Sequence, residues 1–159
     1  MYIHIAHGAQ VGDTQIAAFD AALWQAGVAN YNLLRLSSVV PPGSEIVVHG
    51  TGIPHGTLSG TWGDRLYVVM AEARTSSPGQ TVWAGIGWVQ ERTSGRGLFV
   101  EHEGDDEGQV RVEITRSLSA LMATRQVDFG PVHMDVAGAS CVDRPVCALT
   151  VAVYQSEPW

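Results

Sequence analysis

Asn32-Leu33-Leu34-Arg35-Leu36-Ser37-Ser38-Val39-Val40-Pro41-Pro42-Gly43 sets two adjacent hydroxyls between an apolar run and a double proline. Asn32 to Leu36 suits a strand, and Ser37 and Ser38 end it. Pro41 and Pro42 cannot donate to a sheet ladder, so Val39 to Gly43 is expected to leave regular structure. The prolines also fix the backbone beyond the serines, which can hold a peptide bond away from its relaxed geometry. Taken by itself, the segment is a strand end running into a rigid turn.

Upstream, Tyr2 to Ala6 has the composition of a short strand. After Gly8 and Gly12, Asp13 is placed to cap a helix that runs to Ala26 and stops at Gly27. Downstream, Glu45 to Val48 forms a brief strand, and His49 to Gly63, dense in Gly, Thr and Pro, is a surface loop. Leu66 to Ala73, Thr81 to Gln90 and Leu98 to His102 are strand candidates separated by Ser76-Ser77-Pro78-Gly79 and Thr93-Ser94-Gly95-Arg96-Gly97. Asp106 to Arg125 places Val110, Ile114, Leu118, Leu121 and Met122 at helical spacing, which predicts a second amphipathic helix. Val132 to Val136 and Val146 to Tyr154 close the chain as strands. Two helices and about seven strands give an α+β layered domain with helices covering sheet faces. No repeat, linker or second domain interrupts residues 1–159.

At 159 residues, a chain can bury roughly 70% of its unfolded surface, enough for a core without covalent staples. The sequence is 45% hydrophobic and 16% charged, and no apolar run is long enough to cross a bilayer. Met1 to His7 has no basic segment leading into an apolar stretch, so the start reads as mature structure and the cytoplasm as the compartment. Cys141 and Cys147 are expected as buried free thiols without a role. The net charge of -7, with nine scattered basic residues, lacks the footprint that nucleic-acid binding needs. An acidic surface mildly favours encounter with cationic small molecules. No His, Cys or acidic residues recur at metal-ligand spacing, so no metal is expected. Gly85-Ile86-Gly87 lacks the third glycine of a dinucleotide site and reads as close packing. The five tryptophans are assigned to the core or to a subunit interface.

Several side chains carry alternatives on pattern alone. Asp20 lies four residues after Ile16 and three before Leu23, on the helix stripe expected to face the core, where a charge needs a partner such as Arg35. Glu101 shares a strand face with Phe99 and otherwise reads as a solvated strand-end carboxylate. His102 points to the opposite face. Asn32 fits a turn at a strand start.

The segment Asn32 to Gly43 resembles the processing segment of the pyruvoyl-dependent arginine decarboxylases. Ala18-Phe19-Asp20-Ala21-Ala22-Leu23 and Ala26-Gly27-Val28-Ala29-Asn30 resemble that family's first helix and the turn after it. Ala71-Glu72-Ala73, Pro78-Gly79 and Gly97-Leu98-Phe99-Val100-Glu101-His102 follow its order downstream. The resemblance implies a precursor in which the Ser38 hydroxyl attacks the Ser37 carbonyl, the amide becomes an ester, and elimination breaks the chain. Residues 1–37 (a β chain) and 38–159 (an α chain) would result, with Ser38 converted to a covalent pyruvoyl group. Such a ketone condenses with a substrate α-amine and draws in electrons as carbon dioxide leaves.

In the resembling family, a glutamate at the position of Glu101 is the proton donor, an aspartate at the position of Asp20 receives the substrate guanidinium, and an asparagine at the position of Asn32 assists processing. The resemblance further implies a four-layer αββα sandwich, assembled as a trimer or a dimer of trimers with active sites between subunits, acting on a small-molecule amino-acid substrate, arginine first. A self-cleaving N-terminal-nucleophile hydrolase, which keeps its freed serine intact, and a non-catalytic trimer of the same fold are the rival expectations.

Overall fold

The computed structural model describes residues 1–159. In chain order the elements are β1 (Tyr2–Val11), α1 (Gln15–Ala26), β2 (Asn32–Arg35), β3 (Val39–Val40), β4 (Glu45–Val48), β5 (Arg65–Thr75), β6 (Thr81–Gln90), β7 (Gly97–Gly104), α2 (Glu107–Ala123), β8 (His133–Ser140) and β9 (Val146–Glu157). Five strands form one sheet in the order β2-β5-β9-β1-β4, and four form another in the order β3-β7-β6-β8. β1 with β4 and β2 with β5 pair in parallel; the other pairs are antiparallel.

Three apolar clusters stack these parts into layers. Ile3, Ile5, Val69, Ile86, Phe99 and Ala152 pack between the sheets. Val110, Ile114 and Leu118 of α2 pack on Val89, Leu98 and Val100, covering the outer face of the four-stranded sheet. Ala18, Ala22, Leu23 and Ala26 of α1 pack on Ala6, Val68, Leu149 and Val151, covering the outer face of the five-stranded sheet. The result is an α+β sandwich of two helices and two facing sheets. Neither helix is long and apolar enough to cross a membrane.

Close approach explains how the helices seat. A Cβ on Gly8 would lie 2.1 Å from the Ala22 carbonyl oxygen, so α1 rests its alanine face directly on the β1 backbone. A Cβ on Gly87 would lie 2.1 Å from Ile114 Cγ2, the close packing expected of Gly85-Ile86-Gly87. The α1 cap is Thr14, whose Oγ1 accepts from the Ala17 N–H at 3.1 Å. Asp13, expected in that place, instead accepts from Arg144. Gly27 ends α1 in the left-handed region at φ 85°. On α2, Asp106 caps through the Gln109 N–H at 2.8 Å. Cys141 and Cys147 are buried free thiols. Trp88 is buried, whereas Trp24, Trp62 and Trp159 are exposed.

Val39–Val40 form a two-residue strand where irregular structure was expected. The donor is lost only from Pro41 onward, so both valines can still pair with β7. The five-stranded sheet is also linked to the four-stranded one by His7 of β1, whose Nδ1 lies 2.9 Å from both carboxylate oxygens of Asp135 on β8.

That hydrogen bond raises the His7 pKa above its ordinary 6.5, against the opposing effect of burial. The folded state therefore holds this proton more tightly than the unfolded chain. The stabilisation is complete below the unfolded value and fades as pH rises through the folded one. Urea unfolding of the native chain and of His7→Gln should show a larger advantage for the native chain at about pH 5.5 than at about pH 9. A constant difference would contradict the assignment.

Candidate active site

β2 is the edge of the five-stranded sheet and β3 the edge of the four-stranded sheet. The chain must therefore cross between sheets within Leu36, Ser37 and Ser38. Both ends of the crossing are held. The Leu36 N–H donates to the Val68 carbonyl at 2.8 Å on one sheet, and the Phe99 N–H donates to the Ser38 carbonyl at 2.8 Å on the other. Ser37 between them is exposed and Ser38 half-buried. Ser38 adopts φ 61°, the left-handed region that costs a serine about 1–2 kcal/mol.

The Ser38 hydroxyl donates to Glu101 Oε1 at 2.7 Å. Alternation along β7 explains why Glu101 is there. Phe99 points into the cluster between the sheets, while Leu98 and Val100 point toward α2. Glu101 shares the Phe99 face, and His102 turns to α2, where its Nε2 lies 2.8 Å from Ser117 Oγ. Both placements agree with the strand periodicity, and Glu103 is exposed.

Tyr154 of β9 completes the floor. Its ring meets Phe99 edge-on, with centroids 6.1 Å apart, and its hydroxyl donates to the Val39 carbonyl at 3.0 Å. Burial, reinforced by the negative charge of Glu101, pushes the Tyr154 pKa far up, so the phenol keeps its proton. Sequence reasoning placed Tyr154 at the end of a strand and gave it no task. The available signal was that a buried phenol requires a hydrogen-bond partner.

Two expected site residues lie apart from this group. The Asn32 side chain donates to the Gly63 carbonyl, and its backbone N–H to that of Asp64. Asp20 is exposed. It sits on the outer face of α1 between Ile16, 68% exposed, and Trp24, 67% exposed. The core-facing stripe expected for it belongs to Ala18, Ala22 and Ala26, and Arg35 pairs with Glu72 at 3.6 Å rather than with Asp20. Since α1 covers the face of the five-stranded sheet that points away from Glu101, a full sheet separates Asp20 from Ser38 within one chain.

The arrangement brings together a hydroxyl, a carboxylate and a residue with left-handed backbone. A carboxylate at hydrogen-bond distance can take the hydroxyl proton as the oxygen attacks, the geometric requirement for a general base.

The chain is similar over nearly its whole length to proteins of known description. The sequence model described as Pyruvoyl-dependent arginine decarboxylase (PvlArgDC) matches residues 2–157. A pyruvoyl-dependent arginine decarboxylase of Halobacterium salinarum is 39% identical over 98% of this chain and 96% of its own length. Proteins of the same description from Pyrococcus abyssi and Thermococcus kodakarensis are 32% and 29% identical, each over 89% of this chain and 87% of their own.

Strain at residue 38 has a consequence measurable without activity. Glycine tolerates positive φ and alanine does not, so Ser38→Gly should resist urea unfolding better than Ser38→Ala by about 1 kcal/mol. Greater stability of the alanine variant would contradict the strain.

Proposed function

The chain belongs to the pyruvoyl-dependent arginine decarboxylase family, and from that premise we propose that it cuts itself between Ser37 and Ser38 and decarboxylates arginine to agmatine. One observation carries the reading: the Ser38 hydroxyl is 2.7 Å from Glu101 on a residue held at φ 61° in the crossing between sheets.

In the cleavage step Glu101 takes the Ser38 hydroxyl proton while the oxygen attacks the Ser37 carbonyl carbon. The amide bond gives way to an ester, and elimination across Cα and Cβ of residue 38 releases Ser37 as a carboxylate. Water then replaces the residue 38 nitrogen, which leaves as ammonia, and a keto group remains. Relief of strain favours this direction. The φ angle of residue 38 takes the Ser37 carbonyl carbon as its first atom, so its cost ends when that carbon leaves the nitrogen.

The fold supports retention of both products. Residues 1–37 carry β1, which lies between β9 and β4 in the five-stranded sheet. Ile3 and Ile5 of β1 are fully buried between the sheets. The new start of residues 38–159 stays paired with β7 through Val39 and Val40.

The residues around Ser38 fit a covalent pyruvoyl group, since the carbonyl next to its keto carbon already accepts from the Phe99 N–H. That group supplies an electron-withdrawing ketone to the substrate α-amine. Glu101, beside residue 38 and above the apolar floor of Phe99 and Tyr154, returns a proton to the carbon that loses carbon dioxide. This adds an earlier task to the proton-donor role implied by resemblance: one carboxylate serves cleavage as base and turnover as acid. Asn32 holds the Gly63 carbonyl and thereby the entry to β2, a positioning role in processing.

Asp20 receives the guanidinium, a planar donor suited to a carboxylate. Because a sheet separates it from Ser38 in the same chain, it serves the site of a neighbouring copy. The exposed Ile16 and Trp24 beside it supply apolar surface for that contact. The assembly is a trimer, alone or paired.

Ser38→Ala should remain a single chain and release no carbon dioxide from arginine. Glu101→Gln keeps a hydrogen-bond partner but cannot take a proton, so both scission and turnover should slow by about 100-fold or more. Asp20→Asn should cleave normally and raise KM for arginine by about tenfold or more. Co-expression of Asp20→Asn with Ser38→Ala should restore carbon dioxide release at low arginine, because one intact site can form from two defective chains. Absence of restoration would contradict the shared site.

A further inference from the structure

β3 is an edge strand of two residues with the reacting serine immediately before it. Its ladder side faces β7, where Ser38 accepts from the Phe99 N–H. Carbonyls alternate along an extended chain, so the Val39 carbonyl points away from that ladder. Tyr154, from the opposite sheet, donates to it at 3.0 Å. Residues 38–40 are therefore held from two directions, by β7 of their own sheet and by a phenol of β9. Tyr154 can serve this way because the residue is only 8% exposed and its ring is fixed against Phe99.

Before scission the crossing from β2 also tethers Ser38. After scission that tether is gone, and the reactive group sits on a free chain end paired over two residues. We infer that Tyr154 is a positioning residue for decarboxylation, clamping the Val39 carbonyl so that the modified residue 38 stays in register with Glu101 once the chain is cut. The inference builds on the reading of Ser38 given above. The clamp has little work before cleavage, when covalent connection holds the residue, and its full work afterwards. It also persists at alkaline pH, because burial and the charge of Glu101 keep the phenol protonated.

Tyr154→Phe removes one oxygen and keeps the ring that packs on Phe99, so the variant tests the hydrogen bond alone. Self-cleavage should proceed to completion. Trapping with borohydride and labelled arginine counts reactive chain ends, and kcat per trapped end should fall by about three- to tenfold, the range of one lost hydrogen bond. KM should change less than kcat. Hydrogen exchange at the Val40 amide of the cleaved enzyme should quicken. A purely structural role would lower the melting temperature and the number of trapped ends while leaving kcat per end unchanged, and that result overturns the inference. If Tyr154→Phe does not accumulate folded, an experimental structure of the cleaved native enzyme decides: a phenol oxygen beyond hydrogen-bond reach of the Val39 carbonyl overturns it, and retained contact upholds it. Native protein that neither cleaves nor traps arginine would contradict the Ser38 reading itself, a failure distinct from normal kcat per end in Tyr154→Phe.

Discussion

The hydrogen bond between the Ser38 hydroxyl and Glu101 exists because the backbone has no relaxed way to move from one sheet to the other. β2 delivers Leu36 to the edge of the five-stranded sheet, and β7 accepts the Ser38 carbonyl at the edge of the four-stranded sheet. Only Ser37 is left to make the passage, and residue 38 takes up a left-handed conformation. A side chain in that conformation leaves its strand in a direction that an extended residue would not give it, and here the direction leads to a carboxylate. The left-handed backbone and the contact with Glu101 thus have one cause, the short crossing.

The rest of the architecture keeps that crossing short. Ile3 and Ile5 from one sheet meet Ile86 and Phe99 from the other in a shared core that fixes the separation of the layers. The alanine face of α1 and the seat of Ile114 over Gly87 bring each helix close to its sheet. Loosening the shared core would give residues 36–38 more room, and room is what a strained backbone would use to relax. Tyr154 and His7 add polar links from one sheet to the other at separate places. The core between the sheets therefore governs the geometry at Ser38, through the distance that the crossing must span.

Much of this was legible in the sequence. Val110, Ile114 and Leu118 follow the helical period closely enough that α2 and its buried face could be read directly. Strict alternation put Glu101 with Phe99 and turned His102 away. The resemblance carried by Asn32 to Gly43 supplied the family, which strand and turn patterns alone could not. The α1 face was misread for a definite reason. Large apolar residues usually mark the buried stripe, yet here Ile16 and Trp24 are outside, because Gly8 lets the helix approach so closely that Ala18, Ala22 and Ala26 face the sheet, with Leu23 beside them. Asp20 changed faces with them, from a buried charge needing an internal partner to an exposed carboxylate. The pairing of Val39 and Val40 was hidden by the prolines that follow. The contacts of Tyr154 with Val39 and of His7 with Asp135 join residues more than a hundred positions apart, and no local pattern announces such pairs.

Intact-mass analysis of the freshly purified native protein addresses the central claim most directly. The account predicts two species, one ending at Ser37 and one starting at position 38, the second lighter by one ammonia than a chain headed by unmodified serine. A single uncleaved mass, or a second fragment retaining serine, in protein that releases carbon dioxide from arginine would contradict it.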